Sequence, residues 1–461
     1  MSKRLASLCA LGLAISGCGA GAVDYSTLKS AAEARQRQAG LPDPAAQRSV
    51  RALLGRPLDA DAASQLALLN NRGVRALAEE LNVAKANLAR VRRLPNPTLQ
   101  GALRFHSGDR PAIDLGAVIS VTDLLFLASR TGAAETGVEA AQLSAVGNVL
   151  ELSFQARRAF FDYQAALQAL ELRRTVAAAF MATADATQRL RDAGNTTELA
   201  LANEQSALAE ARVELQRSEV RAAGARERLN TVMGLSGAAT QWRAEVRLPE
   251  PPRTELNVKN LESEAVRRSL DLEIAKRRFA AAAKRANVAR ANGLIPEIRA
   301  GVSAERHDYW GVGPAVEVEV PLFYQGQGEV GVAEAERRQQ EDVYADTAVR
   351  IRATARVAAA ELAAARDRLI YSRDVVLPLK QKVVEETQLQ YNAMLVGIFQ
   401  LLQAKRSQIE AGARYIDQLR EYWIARSNVE ELLAGRLDER ALGSGGVAIA
   451  GSKTAPDATE Q

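Results

Sequence analysis

The stretch Val316-Glu317-Val318-Glu319-Val320 alternates valine with glutamate. Successive side chains of an extended strand point to opposite faces, so the pattern puts valines on one face and acids on the other. Charges so placed would be costly against lipid and comfortable against water. Three further stretches read the same way. In 297–305, Ile298, Ala300, Val302 and Ala304 alternate with Glu297, Arg299, Gly301, Ser303 and Glu305. In 113–122, Ile113, Leu115, Ala117, Ile119 and Val121 oppose Asp114, Gly116, Val118, Ser120 and Thr122. In 98–105, Leu99, Gly101, Leu103 and Phe105 oppose Thr98, Gln100, Ala102 and Arg104. Most of these runs have about 8–10 residues, near the length that a tilted transmembrane strand requires. Short polar loops, 106–111 and 306–311, join them in pairs. The soluble alternative is two surface hairpins on a helical protein, and isolated hairpins are barely stable in water. Four strands cannot close a pore, whereas three copies would supply twelve with no open edge.

Outward from the strands the chain is helical and duplicated. Asn70-Asn71-Arg72 through Leu94-Pro95-Asn96-Pro97 is similar to Ser269-Leu270-Asp271 through Gly293-Leu294-Ile295-Pro296, at an offset of about 200 residues. Each copy is an Ala/Arg/Leu helical pattern that ends at a proline and passes into an alternating run. Very long helical patterns follow, from about residue 135 to 191 and from about 329 to 392. At about 1.5 Å per residue they measure roughly 80–100 Å, which suggests a coiled coil or a helical barrel. Both are interrupted, at 192–197 and 394–398, and return helices follow over about 198–233 and 399–434. Pro378 lacks an amide donor and crowds the preceding turn, so it should kink or split the second long helix. Trp242 to Leu256, with Pro249, Pro251 and Pro252, reads as an extended connector, and residues 19–65 look partly extended. The expected division is a signal segment 1–17, an extended N-terminal segment 18–65, a first repeat 66–235, a connector 236–261, a second repeat 262–435 and a disordered tail 436–461.

The opening residues are an address. Lys3 and Arg4 precede a short apolar stretch from Leu5 to Ile15, too short to span a bilayer. Ile15-Ser16-Gly17-Cys18 resembles a bacterial lipobox, in which small residues admit the peptidase and the thiol of Cys18 carries the lipid. Cys9 would leave with the signal. Gly19 stands where an aspartate is linked to inner-membrane retention, so the resemblance to sorted lipoproteins implies the outer membrane. Several acyl chains make a stable anchor. Nothing after residue 20 offers 18 consecutive apolar residues, so any spanning structure would be a barrel.

Composition narrows the function. Of 461 residues, 47% are hydrophobic, 25% charged and only 5% aromatic, a mix that excludes wholesale disorder and favours long helices packed through small side chains. Sixty basic residues are spread among 55 acidic ones, with no basic stripe for nucleic acid. Two cysteines and two histidines leave little for a metal centre, a cofactor site or a catalytic triad, so an enzyme is not expected.

Lipobox, duplicated halves, paired strands between long helices and interrupted tips together resemble the TolC-like outer-membrane efflux family over about residues 60–435. The closest look is to lipidated members serving resistance-nodulation-division pumps, the heavy-metal type included. Leu94-Pro95-Asn96-Pro97, the Leu377-Pro378 step, and Tyr391-Asn392-Ala393-Met394 through Leu401-Leu402-Gln403-Ala404-Lys405 are similar to the family's sequences. The resemblance implies a mainly α protein: long antiparallel helices in a helical barrel, plus four strands contributing to a twelve-stranded barrel of a homotrimer. It also implies a periplasmic adaptor and an inner-membrane pump as partners. Gly326-Gln327-Gly328 lacks the Gly-Lys-Ser/Thr of a nucleotide-binding loop, so transport energy would come from that pump.

The expected lumen face carries Asp114, Glu297, Glu305, Glu317 and Glu319 against Arg104 and Arg299, and acidic rings favour cations. The alternative is that these charges only hydrate a wide pore. At the tips, relatives often carry aspartates in the second copy; here 394–400 has no acid, while the first tip offers Asp192, Gly194 and Glu198. Leu395, Val396, Gly397, Ile398 and Phe399 would therefore form an apolar gate or an adaptor-docking surface. His106 and His307 are read as loop residues. A type I protein-secretion duct would share this architecture, and a non-conducting lipoprotein scaffold would explain the helices but not the strands.

Overall fold

Residues 50–105, 111–306 and 309–437 are described by a computed structural model of the chain. The expected signal segment and lipidation site at Cys18, both histidines and residues 438–461 lie outside the described residues. In order the elements are α1 (Val50–Leu54), α2 (Ala60–Asn70), α3 (Arg72–Arg92), β1 (Thr98–Arg104), β2 (Ala112–Ser120), α4 (Val121–Asp192) and α5 (Glu198–Met233). After a 3₁₀ turn at Gly237–Thr240 come α6 (Leu261–Arg268), α7 (Leu270–Leu294), β3 (Glu297–Arg306), β4 (Trp310–Glu319) and α8 (Gln327–Tyr371). A π-turn at Ser372–Val376 leads into α9 (Leu377–Asn392), and α10 (Ile398–Leu433) ends the series.

The chain divides into two compact units. The first holds Arg72–Val149 and Leu270–Ala348, and so contains all four strands. They form one antiparallel sheet in the order β1-β2-β3-β4, so the central pairing of β2 with β3 joins the two sequence repeats. Within one chain β1 and β4 each have a single neighbour.

Three boundaries differ from the sequence expectation. The second strand was expected to reach Thr122, but the chain turns helical at Val121, and α4 begins well before residue 135. Ser120 is the reason: its Oγ accepts the amide of Asp123 at 3.1 Å, and Asp123 supplies an acid to the first turn, much as in a capping box. Strand β4 begins at Trp310, six residues before the valine–glutamate run, because Gly311, Gly313 and Pro314 enter the ladder despite their turn-like chemistry. Finally, residues 50–65 are largely helical where an extended chain was expected. Asp59 starts α2 by accepting the amide of Ala62 at 2.6 Å.

The second unit holds Leu150–Ser269 and Val349 onward, together with residues through Asn71. Between its long helices Ala177 and Ala211 pack on Val176, while Phe154, Phe160 and Tyr422 are buried elsewhere in the unit. Larger anchors lie at the connector, where Trp242 is buried and donates its indole N–H to Asn230 Oδ1 at 2.7 Å. Arg226 lies 4.4 Å from the Trp242 ring centroid and donates to the carbonyls of Thr240 and Trp242. The expected break at Pro378 is present as the π-turn immediately before α9, which absorbs the missing amide without ending the helical path.

Candidate functional site

Ladder register sorts the seven expected lumen residues. Gln100 opposes Gly116, Asp114 opposes Glu305, Arg299 opposes Glu317 and Glu297 opposes Glu319. Cross-strand partners share a face, and so do residues two apart; Arg104, Asp114, Glu297, Arg299, Glu305, Glu317 and Glu319 therefore all project from one side of the sheet. Arg104 forms an ion pair with Asp114. Arg299 bridges two strands, 2.8 Å from Glu297 and 3.6 Å from Glu317. Five acids against two arginines leave carboxylates in excess, and Glu297 directly opposite Glu319 is a like-charge pair that favours hydration or a counter-cation. Where the sheet meets the helices of its own unit, a cavity of about 1220 Å³ includes Glu297, Glu319, Asp123 and Arg130 in its lining.

The opposite face is apolar and bare. Leu99 is 80%, Val312 76% and Val316 69% exposed, and Leu103, Leu115, Val302 and Val318 are exposed beside them. Such a continuous patch is a liability in water and is satisfied in hydrocarbon. Tyr309 and Trp310 stand at one end of β4, and exposed Phe323 and Tyr324 lie beyond the other. Aromatic side chains at both ends of a strand suit the two interfaces of a bilayer. Among the described residues no helix is long and apolar enough to cross a membrane.

One tie at the foot of the sheet was not legible beforehand. Thr122 Oγ1 donates to the carbonyl of Pro296 at 3.0 Å and accepts the amide of Ile298 at 2.9 Å, fastening the start of α4 to the start of β3. Its β-branched side chain read as one more strand residue.

The two reversals of the second unit repeat each other. Asn195 N–H donates to Leu190 O at 2.8 Å and Leu395 N–H to Gln390 O at 2.9 Å, with the left-handed residue just before each donor. That residue is Gly194 (φ 73°) in the first tip and Met394 (φ 58°) in the second. Thr197 caps α5 by accepting the amide of Ala200, and Arg191 pairs with Glu198 at 3.0 Å, while Gln188 donates to Asp192. The second tip has no such charges: Gly397 precedes α10, Met394 is 93% exposed, Leu395 and Phe399 are exposed, and Val396 and Ile398 are half-buried. A methionine held in the left-handed region with nothing packed on it marks a surface shaped for something other than local stability. Among the described residues no group of three or more metal-ligating side chains gathers.

No protein-family model matches the chain. The cobalt-zinc-cadmium resistance protein CzcC of Cupriavidus metallidurans is 25% identical over 398 residues, spanning 82% of this chain and 90% of that protein. A membrane protein from Pseudomonas aeruginosa superposes with a TM-score of 0.71 at 20% identity, over 82% of this chain and 91% of that one. The Campylobacter jejuni CmeC outer membrane channel gives a TM-score of 0.68 at 11% identity, over 83% of this chain and 87% of that one. Helix and strand order, the four-stranded sheet and these likenesses give the chain the fold of the TolC-like outer-membrane efflux channels.

Proposed function

We propose that the chain is the outer-membrane exit duct of a tripartite efflux system, passing small toxic solutes from the periplasm to the outside. The observation that carries this reading is the two-faced sheet: charges on one side, bare apolar side chains on the other, and both edge strands unpaired within one chain. Three chains meeting β4 to β1 would pair those edges, turn the charged face to a twelve-stranded lumen and the valines to lipid. The helices would continue as a periplasmic tunnel whose tips meet an adaptor, with an inner-membrane pump providing the energy. Cys18 would carry the lipid anchor. The second tip, with Leu395, Val396, Ile398 and Phe399, would gate by an apolar constriction or seat the adaptor.

Metal cations are the favoured cargo. The excess of carboxylates on the lumen face supports this, as does the likeness to a cobalt-zinc-cadmium resistance protein. The direct test is planar-bilayer conductance of the purified protein with its mass measured in detergent. A trimer with defined single-channel steps is expected; a water-soluble, non-conducting monomer would overturn the reading.

A further inference from the structure

Close to the two reversals, α5, α9 and α10 surround a cavity of about 820 Å³. Glu204 of α5 forms part of its wall although the residue is only 5% exposed. Its Oε2 is buried and has no hydrogen-bond partner among the described residues. Other buried acids are treated differently: Glu430 pairs with Arg157 and Arg426, and Glu431 with Arg158. A buried carboxylate without a partner is expensive when ionised and cheap when protonated.

The charges around it do not change this. Arg406 of α10 lines the same cavity, but its guanidinium lies over the Phe180 ring of α4, 5.8 Å from the centroid. Burial pushes the Glu204 carboxyl above its ordinary range, and the field of Arg406 offsets only part of that. Glu210 on α5 adds a second negative charge to the lining. From α9 the lining residues are Val383 and Thr387, and Lys380 one turn earlier is engaged with Ser407 Oγ at 2.7 Å. On α4, Asp185 and Arg189 are exposed.

We propose that Glu204 is a proton-binding site built into the packing of the helix tips: it holds a proton while α5 packs against α9 and α10, and losing that proton to water in the cavity loosens the packing. The proposal concerns these helices alone and stands whatever the duct carries. The sign follows from linkage. A carboxyl that is harder to ionise in the packed state favours that state fully below its ordinary value of 4.5, and the advantage is lost as pH rises through the higher packed-state value. The tips would thus be tightest in acid and loosen as pH rises.

Hydrogen–deuterium exchange of the trimer in lipid nanodiscs tests this, followed over residues 203–210 and 400–407 from pH 5 to pH 8 and normalised to intrinsic exchange rates. Wild type is expected to lose protection as pH rises, while Glu204→Gln stays protected throughout. Arg406→Gln should move the wild-type midpoint to higher pH, which a merely structural arginine would not do; it also serves if Glu204→Gln fails to assemble. Equal pH dependence in Glu204→Gln, none in wild type, an unmoved midpoint in Arg406→Gln, or a response that follows added Mg²⁺ at fixed pH would each overturn the proposal.

Discussion

Single residues decide how the helical ends of the second unit fit. Gly234, just past α5, has φ 68°, and a Cβ there would lie 2.8 Å from Asn71 Cα and 3.0 Å from Asn70 O. Both neighbours are fixed, since Asn70 Nδ2 donates to Gly234 O at 2.6 Å and Asn71 Nδ2 to Val232 O at 2.8 Å. Left-handed strain and a backbone clash therefore add, and Gly234→Ala should destabilise by about 2–4 kcal/mol. A lowered melting temperature with no change in secondary-structure content would register it; an unchanged melt would mean that α2 can shift freely. The sequence exposes little of this. Glycine after a helical run announces a reversal, as Gly194 does, yet the same geometry at Met394 has no such marker because the residue there breaks the rule.

Elements were legible where a period was imposed by two solvents. The strands declared themselves because apolar and polar side chains alternate along them, as the proposed lipid and water surroundings would demand. The register makes that demand testable: Val316 on the bare face opposes Ala300, while Ser303 lies on the charged face. Val316→Lys should cost about 2–4 kcal/mol per chain if it sits near the bilayer midplane, and deplete the trimer from the outer-membrane fraction; Ser303→Lys should assemble normally. Equal tolerance would remove the assignment of faces. Boundaries were less legible, because Val121 and Thr122 suit a strand by composition and become helix only through the cap from Ser120. The connector was legible as proline-rich but not as an electrostatic clasp. Burial raises the Glu255 carboxyl, but the Tyr422 hydroxyl, the Leu256 amide and the Arg426 and Arg366 guanidiniums more than offset this and hold it below the ordinary range. Its stabilising share is present above the ordinary 4.5 and lost as pH falls through the lower folded value. Glu255→Gln should therefore cost about 2–4 kcal/mol at pH 7, leaving two arginines underpaired, with the difference from wild type closing as pH falls below the ordinary 4.5. Thermal melts of both proteins across that range would show it, and a gap that persists in acid would contradict the clasp.

Symmetry would multiply what a single chain carries. One chain shows a modest excess of carboxylates on a sheet face; three chains around an axis would turn it into acidic rings, where focused fields act on every passing ion. Glu317 and Glu319 lie nearest the end of β4 that leads into the helices, and Glu317 shares Arg299 with Glu297. Replacing both with glutamine would leave Asp114, Glu297 and Glu305 facing Arg104 and Arg299, nearly balanced. Reversal potentials under a KCl gradient should then show wild type preferring K⁺ and the double variant moving most of the way to zero preference, with conductance little changed because the bore is unaltered. The effect should shrink in high salt as the charges are screened. An anion-preferring wild type, or a double variant that keeps the wild-type preference, would leave these acids as hydration of a wide pore and take away the electrostatic reason for a cationic cargo. Cargo is the property least visible in the chain, because a duct only has to let pass what a separate pump has already chosen.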